Sequence, residues 1–64
     1  MKREQLLKYL FKNGCIVERE GKNHTIIYNP NTNLSSTLPR HNEINTFTGR
    51  KICKDLGIKI INIK

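Results

Sequence analysis

Gly21-Lys22-Asn23-His24-Thr25-Ile26-Ile27-Tyr28 is the stretch from which the rest of the chain can be laid out. A glycine and two polar residues make a turn, and a β-branched apolar run follows, the pattern of a strand entered from a tight hairpin. Gly21 is expected to take a positive φ in that turn. Strand parity then puts His24, Ile26 and Tyr28 on one face and Thr25, Ile27 and Asn29 on the other. One imidazole is thereby delivered to the point where turn becomes strand.

Residues 15–20, just before the turn, are short and partly β-branched. They read as a strand with Cys15 and Val17 on one side and Ile16 and Glu18 on the other. Downstream, Asn29-Pro30-Asn31-Thr32-Asn33 is dense in turn residues and closes a second hairpin. Residues 34–38 make a third strand with Leu34, Ser36 and Leu38 on one parity, and Pro39, which has no N–H, ends its ladder. Three strands joined by short turns imply an antiparallel meander.

Helical periodicity flanks the meander on both sides. Over residues 2–12, Leu6, Leu7, Leu10 and Phe11 form one apolar stripe, and Asn13-Gly14 supplies the stop. A second helix begins with either Asn45 or Thr46 as its N-cap and runs to about Leu56. Gly49, Ile52, Cys53 and Leu56 are its buried stripe, with Phe47 at the margin, and Gly57 stops it. Glycine at position 49 costs about 1 kcal/mol relative to alanine, which close packing against the sheet would account for. The apolar, β-branched residues 58–64 are either a fourth, edge-adding strand or a segment that pairs with a partner chain. The expected fold is α+β in the order α-β-β-β-α. It has a three-stranded antiparallel sheet, two helices on one face and a short apolar C-terminal tail, and residues 1–64 form one domain.

The chain carries 12 Lys+Arg against 5 Asp+Glu among 64 residues, a formal net charge of +7. That bias selects a polyanionic partner, either nucleic acid or an acidic protein. No apolar stretch approaches the ~18 residues of a membrane span, and the first residues lack the apolar region of a signal peptide, so a cytoplasmic protein is expected. Cys15 and Cys53 have no zinc-finger spacing and read as small buried hydrophobes, a disulfide being disfavoured in a reducing compartment. So short a chain leaves no room for a cofactor-binding fold. Chemistry, if any, takes place on a shallow surface.

His24 is the candidate for proton transfer, because histidine is the residue type that exchanges its proton near neutrality. Read from the residues alone, an ordinary strand residue with a satisfied ring is the favoured alternative. RNA supplies its own nucleophile, the 2′-OH, and needs from a protein only a base, an acid and positive charge on the phosphate. Lys22, Arg40, Arg50, Lys51 and Lys54 are the candidate phosphate ligands, the plain alternative being a solvated charged face. His41, behind Pro39-Arg40, is either a phosphate contact or simple surface, and Tyr28 either stacks on a base or packs in the core. Neither a metal nor a small-molecule cofactor is expected. The competing function is a non-catalytic basic module that grips RNA by shape and charge.

Four features in order carry a resemblance to a known family. They are Leu6-Leu7 leading into Asn13-Gly14, the Gly21-Lys22-Asn23-His24 element, Pro39-Arg40-His41 after the third strand, and Arg50-Lys51-Ile52-Cys53-Lys54-Asp55-Leu56-Gly57-Ile58. The layout resembles the double-stranded-RNA-binding-domain fold, and the chain resembles the HicA toxins of toxin–antitoxin pairs. That resemblance implies a metal-independent mRNA interferase with His24 as its catalytic histidine. It also implies a HicB antitoxin as partner, covering the active site. Many members carry serine where this chain has Asn23, and the tail after Ile58 lies outside the resemblance.

Overall fold

A computed structural model describes residues 1–61. Helix α1 spans Arg3–Lys12, strands β1, β2 and β3 span Ile16–Glu20, His24–Asn29 and Leu34–Pro39, and helix α2 spans Thr46–Asp55. The strands form one antiparallel sheet in the order β1-β2-β3. This is the helix, three-strand, helix order that the sequence periodicities predict.

The central strand shows how the layers are assigned. Thr25, Ile27 and Asn29 are buried, whereas His24 is exposed and Ile26 and Tyr28 are half-buried. Ile27 shares one core with Leu38 of β3, with Leu6 and Leu10 of α1, and with Ile52, Cys53 and Leu56 in and after α2. Both helices therefore cover the Thr25 face, and the His24 face of the sheet carries no helix. Burying each of these aliphatic side chains contributes about 1.5–3 kcal/mol, which is what holds so thin a two-layer fold together.

The helix ends follow their capping residues. Asn45 caps α2, its side chain accepting from the Phe47 amide at 2.8 Å. Gly14 and Gly57 adopt φ of +87° and +70° as helix stops, a region that costs an L-residue about 1–2 kcal/mol. Gly21, in contrast, has no positive φ. Its amide donates to His24 O at 2.7 Å, and a Cβ there would stand 3.0 Å from that same oxygen. The turn needs Gly21 for close approach, not for handedness.

Gly49 does pack closely, but against the N-terminal residues and not the sheet. A Cβ would lie 2.5 Å from Met1 Cε and 3.9 Å from Leu6 Cδ2. Phe11 lies outside the stripe, 49% exposed, and Tyr9 takes its place beside the core. Phe47 is not marginal but 78% exposed.

The tail does not extend the sheet as far as it is described. Residues 59–61 form no strand. The Ile58 amide donates to Cys53 O at 3.1 Å, Tyr9 Oη donates to Lys59 O at 2.7 Å, and Ile61 is buried in the core. Apolar burial against α1 competes successfully with edge pairing here. The remaining residues of the expected fourth strand, 62–64, lie outside the described residues. Cys15 and Cys53 are free thiols, both buried.

Candidate active site

The β1–β2 hairpin places His24 as the first residue of β2, on the face that no helix covers. Its partner across β2–β3 is Pro39. Register therefore brings the turn at residues 20–23 beside the segment that follows β3, and with it Arg40 and His41, both exposed. Arg40 Nη1 donates to Gly21 O at 2.8 Å, and Arg40 Nη2 lies 4.0 Å from Glu20 Oε2. Lys22 stands exposed in the turn itself. An imidazole, a guanidinium and an ammonium thus gather around one hairpin, with His41 close in sequence.

Beneath this exposed group lies a polar clamp. Arg3, at the start of α1, donates from Nη2 to Thr25 Oγ1 at 2.7 Å and from Nε to Pro39 O at 3.0 Å. Thr25 Oγ1 in turn donates to Glu20 Oε1 at 2.5 Å. Thr25 is only 1% exposed and directly follows His24. One guanidinium therefore holds β2, β3 and, through Thr25 and Glu20, the end of β1. Charge-assisted hydrogen bonds of this kind are about twice as strong as neutral ones. They position the backbone from which the His24 ring projects.

Arg50, Lys51 and Lys54 are placed elsewhere. They lie exposed on α2, in the helical layer on the far side of the sheet from the His24 face. Lys51 also has Asp55 within 3.7 Å, which offsets its charge locally. The structure brings Arg40 to the turn that holds Lys22 and leads into His24, with His41 the exposed residue after Arg40, and it does not bring these three. Tyr28 shares the His24 face, half-buried and outside the core, its hydroxyl donating to Asn33 Oδ1 at 2.5 Å.

Arg3, Thr25 and Glu20 were not readable as site residues. Arg3 falls outside the apolar stripe of α1, and nothing in a helical pattern says that a polar position will reach under a sheet. Thr25 offered a weak signal: a hydroxyl at an inward-facing strand position must find a hydrogen-bond partner.

At the site, the arrangement offers a solvent-open proton carrier with positive charge around it and a rigid support below. No helix among the described residues is long and apolar enough to cross a membrane. A family model described as "HicA toxin of bacterial toxin-antitoxin" matches residues 3–58 of the 64. Neither the curated proteins nor the solved structures contain a match to the chain.

Proposed function

The chain belongs to the HicA toxin family, and on that premise we propose that it is an endoribonuclease, an mRNA interferase that halts translation by cutting RNA in the cytoplasm. The observation that supports this most is the exposure of His24 at the exit of a hairpin, on the uncovered face of the sheet. An imidazole sealed in the core would be inaccessible to a nucleic acid strand.

In this reading His24 moves a proton at the scissile phosphate. The 2′-oxygen loses its proton, forms a bond to phosphorus and displaces the 5′-oxygen, which takes up a proton as it leaves. The products are a 2′,3′-cyclic phosphate and a 5′-hydroxyl. A positioned group in this role contributes about 10²–10⁴-fold. Lys22 and Arg40 offset the charge that builds on the phosphate oxygens, and His41 is the second imidazole at this end of the sheet. Arg50, Lys51 and Lys54 act at longer range, attracting RNA without touching the scissile bond. The nucleophile comes from the substrate, so the reaction as written uses no metal. A HicB antitoxin, in the same reading, neutralises the toxin by covering the His24 face.

Incubating wild type and His24→Ala with a defined single-stranded RNA in EDTA tests this. Wild type is expected to cleave and leave cyclic phosphate ends, with His24→Ala inactive. Equal cleavage by both would remove His24 from the mechanism. Binding without cleavage by either would leave a non-catalytic RNA-binding module.

A further inference from the structure

Strict alternation would send Arg19 to the wrong side for a site on the open face. Counting from the buried Cys15, positions 17 and 19 share the parity that faces the helices. The β1–β2 ladder breaks that count. Val17 pairs with Ile27, but Arg19 pairs with Ile26 and Glu20 with Thr25, leaving Glu18 as the extra residue of a bulge. Residues directly opposite in a ladder share a face. Arg19 therefore stands on the face of Ile26 and of His24, two residues away. Re-aiming a side chain is a known use of bulges, and here the side chain re-aimed is a guanidinium.

The distance also suits a shared ligand. The Gly21 amide donates to His24 O, so Gly21 faces His24 across the hairpin and Arg19 is the diagonal neighbour. Such diagonals put the side-chain roots roughly 7–8 Å apart, which a long side chain spans. Arg3 and Arg40 commit donors to backbone oxygens. Arg19 is exposed and enters no ion pair among the described residues, so its planar fork is available to an anion. Ile16, opposite Tyr28, adds exposed apolar surface on the same face. That surface suits unstacked bases of a single strand.

We propose that Arg19 is a phosphate-binding residue of this site, gripping the RNA phosphodiester beside His24 in a single strand laid across the open face of the sheet. The assignment rests on the RNA-cleaving reading above. It adds a phosphate contact from β1 to those of Lys22 and Arg40.

Fluorescence anisotropy and cleavage kinetics with a labelled single-stranded RNA test it. The proteins are wild type, His24→Ala, Arg19→Gln, Arg19→Lys and, as a charge-matched control, Lys12→Gln on α1. Arg19→Gln is expected to bind about ten-fold more weakly and to lower the slope of log K against log salt by about one. Arg19→Lys recovers part of the affinity, since it restores charge but not the bidentate fork. Lys12→Gln changes binding by less than two-fold. Equal losses for Arg19→Gln and Lys12→Gln, or none for either, overturn the proposal while His24 dependence of cleavage keeps the catalytic reading intact. Weak binding by Arg19→Gln together with full cleavage by His24→Ala would do the reverse. Absence of both RNA binding and cleavage in wild type overturns both.

Discussion

Arg3 Nη2 donates to Thr25 Oγ1 at 2.7 Å, joining the first turn of α1 to the residue immediately after His24. The bond spans 22 positions and ends on a side chain that is 1% exposed. Because Thr25 Oγ1 passes its own proton toward Glu20, the hydroxyl sits between a cation and an anion, accepting from one and donating to the other. A hydroxyl is the smallest group able to do both.

Thr25→Val keeps the shape and removes that relay. The guanidinium of Arg3 and the carboxylate of Glu20 each lose a partner, an omission that costs about 1–3 kcal/mol. At a urea m-value of about 1 kcal/mol/M the midpoint should fall by about 1–3 M, and Thr25→Ser should recover most of it. An unchanged midpoint for Thr25→Val would show that the relay contributes nothing to stability.

Gly21→Ala separates site geometry from fold stability. No positive φ is at stake, so the melting temperature should move little. The added Cβ meets His24 O at 3.0 Å, and backbone cannot yield as a side chain does. The hairpin must open by a few tenths of an ångström, and cleavage should fall at least ten-fold. Gly57→Ala should behave oppositely, losing about 1–2 kcal/mol of stability at its φ of +70° with cleavage by the folded fraction retained.

Asn29 is the buried polar residue that ties the second hairpin to the end of α2. Its Nδ2 donates to Leu56 O at 2.8 Å and its Oδ1 accepts from the Asn31 amide at 3.0 Å. Asn29→Leu removes both bonds, and among the described residues Leu56 O then keeps the Thr32 hydroxyl at 3.0 Å. A loss of about 2 kcal/mol is expected, measured by chemical denaturation.

Burial pushes the Cys15 thiol above its ordinary range, with Cys53 adding to the rise, and burial likewise pushes Cys53 up. The unfolded chain therefore loses these protons first as pH rises. Stability is complete below the unfolded thiol pKa of about 8.5 and declines above it, toward the raised folded values. Denaturation midpoints measured from pH 8 to 10 should fall for wild type and stay flatter for the Cys15→Ala/Cys53→Ala protein. Modification of either thiol by a soluble disulfide reagent should be slow until denaturant is added.

Much of the site was legible because its signals are local. Gly21 and Asn23 mark a turn, Ile26 and Ile27 mark a strand, and period-two alternation then groups His24 with Ile26 and Tyr28 on one face. Lys22 could be attached to that turn because it lies within it, whereas Arg40, grouped in the sequence reading with the cations of α2, is brought to the turn by the β2–β3 register. The α2 cations could not be sorted in this way. Charge is visible in a sequence, but the layer on which it ends up is not, and Arg50, Lys51 and Lys54 lie across the sheet from the imidazole.

By itself the sequence determined the five elements, their order, the two helix stops and the parity that His24 shares with Ile26 and Tyr28. Each of those depends on the steric and hydrogen-bonding preferences of residues a few positions apart. That the His24 face is the open one came from the packing of the helices. Only the tertiary structure decided that Arg3 reaches under the sheet, that Ile61 is buried in the core, and that a bulge at Glu18 turns Arg19 toward the open face. Those outcomes depend on which strand or helix lies alongside, and a one-residue slip in register moves a side chain to the opposite face.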